Sequence, residues 1–85
     1  MSLTTVIYNR SSKHIVEAVT AHWFRPCIIT KEYNYISDRF KMHLRLRSSQ
    51  DQQLLSNVLK NVMSVQGVLV VPSAPSKQGI QLHSL

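Results

Sequence analysis

Four histidines, one cysteine and four carboxylates are the side chains of this 85-residue sequence with a catalytic or metal-binding repertoire. His14, His22, His43 and His83 have no histidine at i+3 or i+4 and no neighbouring cysteine, so no zinc site is expected. Glu17, Glu32, Asp38 and Asp51 form no pair at a spacing that sets an acid beside a base. Cys27 stands next to Ile28 in a β-rich segment, the setting of a buried structural thiol rather than a nucleophile. There is no glycine-rich phosphate loop. No catalytic residue, metal or cofactor is therefore expected. The remaining chemistry is cationic. In residues 39–47, RFKMHLRLR, the apolar Phe40, Met42, Leu44 and Leu46 alternate with Arg39, Lys41, His43, Arg45 and Arg47.

Strict alternation is the signature of a strand with one apolar and one positive face. The other elements have to position that strand. Residues 3–9, LTTVIYN, read as a first strand because of their β-branched content. A helix follows, capped by Ser11 or Ser12, with Ile15, Val16, Val19 and Trp23 at helical spacing, and it must stop before Pro26. Residues 27–35 are β-rich again, and ISDR supplies a turn. In SSQDQQLLSNVLKNVMSV, Ser49 and Gln52 form a capping-box pattern, and Leu54, Leu55, Val58, Leu59 and Val62 make one stripe, expected in the core. Gly67 suits the turn into a last strand over 68–71, ended by Pro72. Residues 72–85 have the composition of a flexible tail, which places a single domain at 1–71.

The order βαββαβ specifies an α+β, ferredoxin-like fold: a four-stranded antiparallel sheet with two helices on one face. Right-handed crossovers put the first and third strands in the middle. The positive face of 39–47 then lies at the centre of the open side of the sheet, since those charges cannot be buried unpaired.

Ten lysines and arginines against four acids give a net charge of +6. That favours an anionic partner, but the charge is spread along the chain rather than blocked. Sequence-specific RNA binding on such a sheet needs stacking aromatics on the open face. Phe40 points inward, and the first strand offers at most Tyr8 outward, so nucleic acid is not the expected partner. A domain this short buries only about 60–65% of its unfolded surface, which makes self-association or a larger partner natural. The start MSLTTVIYNR has no long apolar run, and one cysteine suits a reducing compartment, so the cytoplasm is expected.

The second half, FKMHLRLRSSQDQQLLSNVLKNVMSVQGVLVV, resembles an ACT domain: a strand, a Leu-rich helix, then a short strand after the glycine of QGVLVV. The resemblance covers about residues 3–71. Within that group the chain is similar to the short regulatory small subunits of acetolactate synthase, isozyme-II type. Their helix–Gly-Phe–Val-x-x-Met junction resembles HWFRPCII here, with Trp23 where those subunits have glycine, and their Gln/Ser-rich tail resembles PSKQGIQL. The resemblance implies a non-catalytic subunit that binds and modulates the large thiamine-diphosphate enzyme of branched-chain amino-acid synthesis. A magnesium-virulence-type membrane transporter, whose cytosolic end is a similar module, is the alternative source of such a domain, and a basic nucleic-acid-binding module is the third reading.

Amino-acid-binding ACT domains carry an Asp/Asn-x-Pro-Gly turn after the first strand. Here Asn9 fits its first position and Arg10, Ser11 and Ser12 replace the rest. A helix N-terminus there, with Arg10 beside it, could receive an effector carboxylate, and plain helix capping is the competing reading. For partner contact the expected residues are Trp23, as core or as subunit anchor, Tyr33 and Tyr35 on an edge strand able to pair with a second copy, and Arg45 and Arg47. A homodimer through a sheet edge or the helices, bound to a larger catalytic subunit, is the expected assembly.

Overall fold

Alternation along the first strand decides which side of the sheet becomes the core. In the computed structural model, which describes residues 2–73, β1 spans Ser2–Asn9. Thr4, Val6 and Tyr8 on one side of it are fully buried, and Leu3 and Ile7 on the other are half-buried. Helix α1, Lys13–Phe24, follows. A 3-10 turn over Arg25–Cys27, with Pro26 inside it, leads to β2, Ile28–Asn34. Strand β3 is Arg39–Leu46. Helix α2, Ser49–Asn57, continues into a π-helical stretch, Val58–Val62, and β4 is Leu69–Pro72.

The strands lie in the order β2-β3-β1-β4, and every neighbouring pair is antiparallel. This is the ferredoxin-like α+β fold. Val16 of α1 and Leu55 of α2 join Val6, Tyr8, Met42, Leu44 and Leu46 in one core, which places both helices on the same side of the sheet. The register sets Thr4 opposite Leu44, Val6 opposite Met42 and Tyr8 opposite Phe40. Strand β3 is thus an interior strand, apolar toward the helices, with Arg39, Lys41, His43 and Arg45 on the open side.

Several local expectations are corrected. Tyr8 faces the core rather than the open side, so neither central strand presents an aromatic there. Arg47 lies beyond the end of β3. The cap of α2 is Ser48, not Ser49: its Oγ accepts the Asp51 N–H at 3.3 Å, while Gln52 accepts a hydrogen bond from Thr4 Oγ1 at 3.0 Å. Strand β2 stops at Asn34, leaving Tyr35 in the turn. Strand β4 includes Pro72, which an edge strand tolerates. Ser73 N–H still donates to the Leu3 carbonyl at 2.8 Å, so pairing runs past the boundary expected after residue 71. From residue 74 on, the tail expected over 72–85 lies outside the described residues.

The helical stripes also divide differently. Val16 and Thr20 are buried on α1, whereas Ile15 and Trp23 are exposed. On the second helix Leu55 and Leu59 are buried, but Leu54 and Val62 are exposed. A π turn takes one more residue than an α turn, so a stripe drawn at α spacing, still in the core at Leu59, has rotated off it by Val62.

Candidate functional site

Four surfaces gather the polar and aromatic residues that the sequence singles out. The first is the turn between β1 and α1. Asn9 Oδ1 accepts from the Ser12 N–H at 3.0 Å and from the hydroxyls of Ser11 and Ser12 at 2.9 Å each. Ser12 occupies the N-cap position but makes no side-chain cap bond to the helix. Asn9 therefore organises the turn. Arg10 joins a different group: its Nη2 donates to Asp38 Oδ1 at 2.9 Å and to Tyr33 Oη at 3.0 Å, and the Tyr33 hydroxyl donates to the same Asp38 oxygen at 2.6 Å. Asp38, held by Tyr33 and Arg10, has its carboxyl pKa lowered, while the Tyr33 hydroxyl is raised by its bond to Asp38. The structure thus brings Asn9, Ser11 and Ser12 together and ties Arg10 to the β2–β3 hairpin. Tyr33 belongs to that tie, with its ring 4.6 Å from Phe40. Tyr35 is 79% exposed at the hairpin tip beside Ile36.

The second surface is a cleft between α1 and β2, lined by Lys13, Glu17, Lys31, Glu32, Tyr33 and Phe40. Glu17 sits at its base. The buried Tyr8 hydroxyl donates to Glu17 Oε2 at 2.6 Å, and Lys13 and Lys31 approach Oε1 at 3.3 and 3.9 Å. Burial raises the Glu17 pKa, but the bonds from Tyr8 and Lys13 and the two positive charges outweigh it, and the net shift is downward. Tyr8 is raised, first by burial and then by Glu17. The two shifts act at opposite ends of the pH scale. Glu17 has a depressed folded value, so its contribution is complete above its unfolded value of 4.5 and is lost as pH falls. Tyr8 has a raised folded value, so its contribution is complete below 10.0 and is lost as pH rises. Tyr8→Phe is expected to cost about 1.5–3 kcal/mol at neutral pH and to flatten the alkaline limb of stability. Glu17→Gln is expected to flatten the acid limb. Urea midpoints measured across the pH range check both, and an alkaline limb that is unchanged in Tyr8→Phe contradicts the assignment.

The third surface is the open side of the sheet. His43, half-buried on β3, pairs through Nε2 with Glu32 Oε2 at 2.7 Å and through Nδ1 with Thr5 Oγ1 at 3.3 Å. Thr5 in turn bonds Ser73. A carboxylate on one imidazole nitrogen and a hydroxyl on the other resembles a proton relay. Here the hydroxyl belongs to a residue only 9% exposed and is shared with Ser73. The array spans the sheet from β2 across β3 and β1 to the residue after β4. Arg39, Lys41 and Arg45 stand exposed beside it.

Trp23 and Arg47 line the fourth surface. Trp23 is 60% exposed at the end of α1. A groove of about 350 Å³ is lined by Trp23, Phe24, Pro26, Cys27, Arg47 and Asp51. An adjoining recess between the helices is lined only by Trp23, Phe24, Leu54, Leu55 and Val58. The structure thus joins two of the residues expected to contact a partner and sends Arg45 to the opposite side of the molecule. The sequence assigned Leu54 and Val58 to the core stripe, and only the packing of the two helix ends shows that they wall a groove.

Among the described residues no group of three or more His, Cys, Asp or Glu could hold a metal ion. Among the same residues no helix is long and apolar enough to cross a membrane. No protein-family model, curated protein or solved structure matches the chain.

Proposed function

We propose that this chain is a non-catalytic, ACT-like accessory subunit that docks on a larger cytoplasmic metabolic enzyme and biases its conformation. The large subunit of acetolactate synthase, in branched-chain amino-acid synthesis, is the first enzyme to test. The supporting observation is the groove that joins an exposed Trp23 to Arg47. Tryptophan and arginine are the side chains most enriched where interfaces concentrate their energy. A tryptophan left in water forgoes the stabilisation that burial would give, and a monomer gains nothing from that exposure. Docking shifts the enzyme only through contacts that differ between its two conformations. Strand β2, paired on one side only and exposed along most of its length, is the edge at which a second copy would add. An amino-acid effector has no part in this reading, because Asn9, Ser11 and Ser12 spend their side chains on one another.

The tagged chain is expected to retain a large thiamine-diphosphate enzyme from native extract. Trp23→Ala and Arg47→Glu are each expected to weaken capture at least ~10-fold, equivalent to about 1.4 kcal/mol or more. Both variants are expected to keep the wild-type circular dichroism spectrum, since neither side chain is buried. Capture of nucleic acid instead, lost with added salt, would support the third reading and defeat this one.

A further inference from the structure

The open side of the sheet is divided lengthwise, and the division has the shape of a helix. On β1 and β4 the outward residues are aliphatic apart from Thr5, which bonds His43 and Ser73: Leu3 and Ile7 flank it, then come Leu69, paired with Ile7, and Val71, paired with Thr5. On β3 they are Arg39, Lys41, His43 and Arg45. The register sets Leu3 directly beside Arg45 and Ile7 directly beside Lys41. Leu69 is 48% exposed, and Leu3, Ile7 and Val71 are half-buried. Glu32 is the only acid on this side among the described residues, and His43 holds it. None of the ion pairs among the described residues includes Arg39, Lys41 or Arg45.

We infer that this face seats an acidic amphipathic helix of a partner protein, with its apolar stripe on Leu3, Ile7, Leu69 and Val71 and its acidic flank on Lys41 and Arg45. The dimensions agree. Adjacent strands are about 4.8 Å apart, so a helix about 10 Å across that lies over β1 and β4 puts its flank above β3. Alternate side chains along β3 recur every ~6.6–6.8 Å, and helix positions i and i+4 are ~6 Å apart along the axis. Acids at i and i+8 therefore fall near Lys41 and Arg45, on either side of the His43–Glu32 rung. Charge selects this occupant over others. A second copy brings another net +6 against the same cations. A nucleic acid would meet no stacking aromatic and would leave the aliphatic strip unmatched. The inference is independent of the Trp23 groove, which lies elsewhere on the molecule.

A photoreactive benzoylphenylalanine replacing Leu69 in the full chain tests it by cross-linking in native cells and sequencing the attached peptide. The expected adduct is a foreign segment with acids at i, i+4 or i+8 beside an aliphatic stripe. Its yield is expected to fall at least ~10-fold, or about 1.4 kcal/mol, in Lys41→Glu and Arg45→Glu and to persist in Lys41→Arg. An adduct to the chain itself, to nucleic acid, to lipid or to a segment without those acids overturns the inference. So does the absence of any adduct from folded protein, or a yield indifferent to the charge reversals. Capture of an enzyme through Trp23 with no adduct at position 69 removes this inference alone.

Discussion

Leu44→Ala is expected to lower the unfolding free energy by ~2–5 kcal/mol, and Arg45→Ala, one residue further on, to change it by less than about 0.5 kcal/mol. The two side chains leave the same strand in opposite directions. Leu44 is fully buried, opposite Thr4 on one side and Ile28 on the other, inside the core shared with Val6, Met42 and Leu55. Truncating it opens a cavity that an interior strand, pinned by two neighbours, cannot close by moving. Arg45 is exposed and has no ion-pair partner among the described residues. A domain of this size holds only ~4–13 kcal/mol in total, so Leu44→Ala is expected to remove a large share of it. Urea titrations give both values directly, with unchanged m-values confirming that midpoints report stability. Equal costs for the two substitutions would mean that the strand is turned over, and the cationic face with it.

Residues 39–47 were legible because two independent constraints agree on them. Their period is that of a strand, and their cations cannot face the core, so one register survives. The βαββαβ order followed from similarly simple signals, among them the stop at Pro26 and the turn at Gly67. The helices were less legible. Ile15 and Val62 fit an apolar stripe by spacing, yet short helices cover only part of the sheet, and the π turn after Asn57 leaves Leu59 buried but turns Val62 outward. Nothing in the local sequence marks a π turn. The sites were harder still, because their residues come from distant segments. Arg47 comes to line one groove with Trp23 only through the path the chain takes after β3, and the Glu32–His43 pair depends on the β2–β3 register, which shifts between Ile28 and Thr30. Asn9 was visible as a turn residue, but its choice of Ser11 and Ser12 over an incoming ligand is a competition that the sequence does not decide.

Gly67→Val is the second large effect, expected at ~2–4 kcal/mol, and it joins two turns that look unrelated in the sequence. Gly67 has φ +72°, in the left-handed region where a β-branched side chain is strained. A Cβ at this position would also overlap the Nδ2 of Asn9. An isolated amide could rotate aside at little cost. This one is anchored, because its Oδ1 accepts from the Ser12 N–H and from the hydroxyls of Ser11 and Ser12. Moving it strips the bonds that hold the turn into α1, a loss of ~0.5–1.5 kcal/mol in addition to the backbone strain. The two contributions separate in a double-mutant cycle with Asn9→Gly, which removes both the obstacle and the anchor. The combined variant is expected to cost less than the sum of the single ones by ~0.5–1.5 kcal/mol, as residues in contact commonly do. Additive costs would mean that the amide yields freely and that only the left-handed backbone resists. The coupled result would place the start of the first helix and the approach to the last strand under one constraint, held by a single side chain at the end of β1.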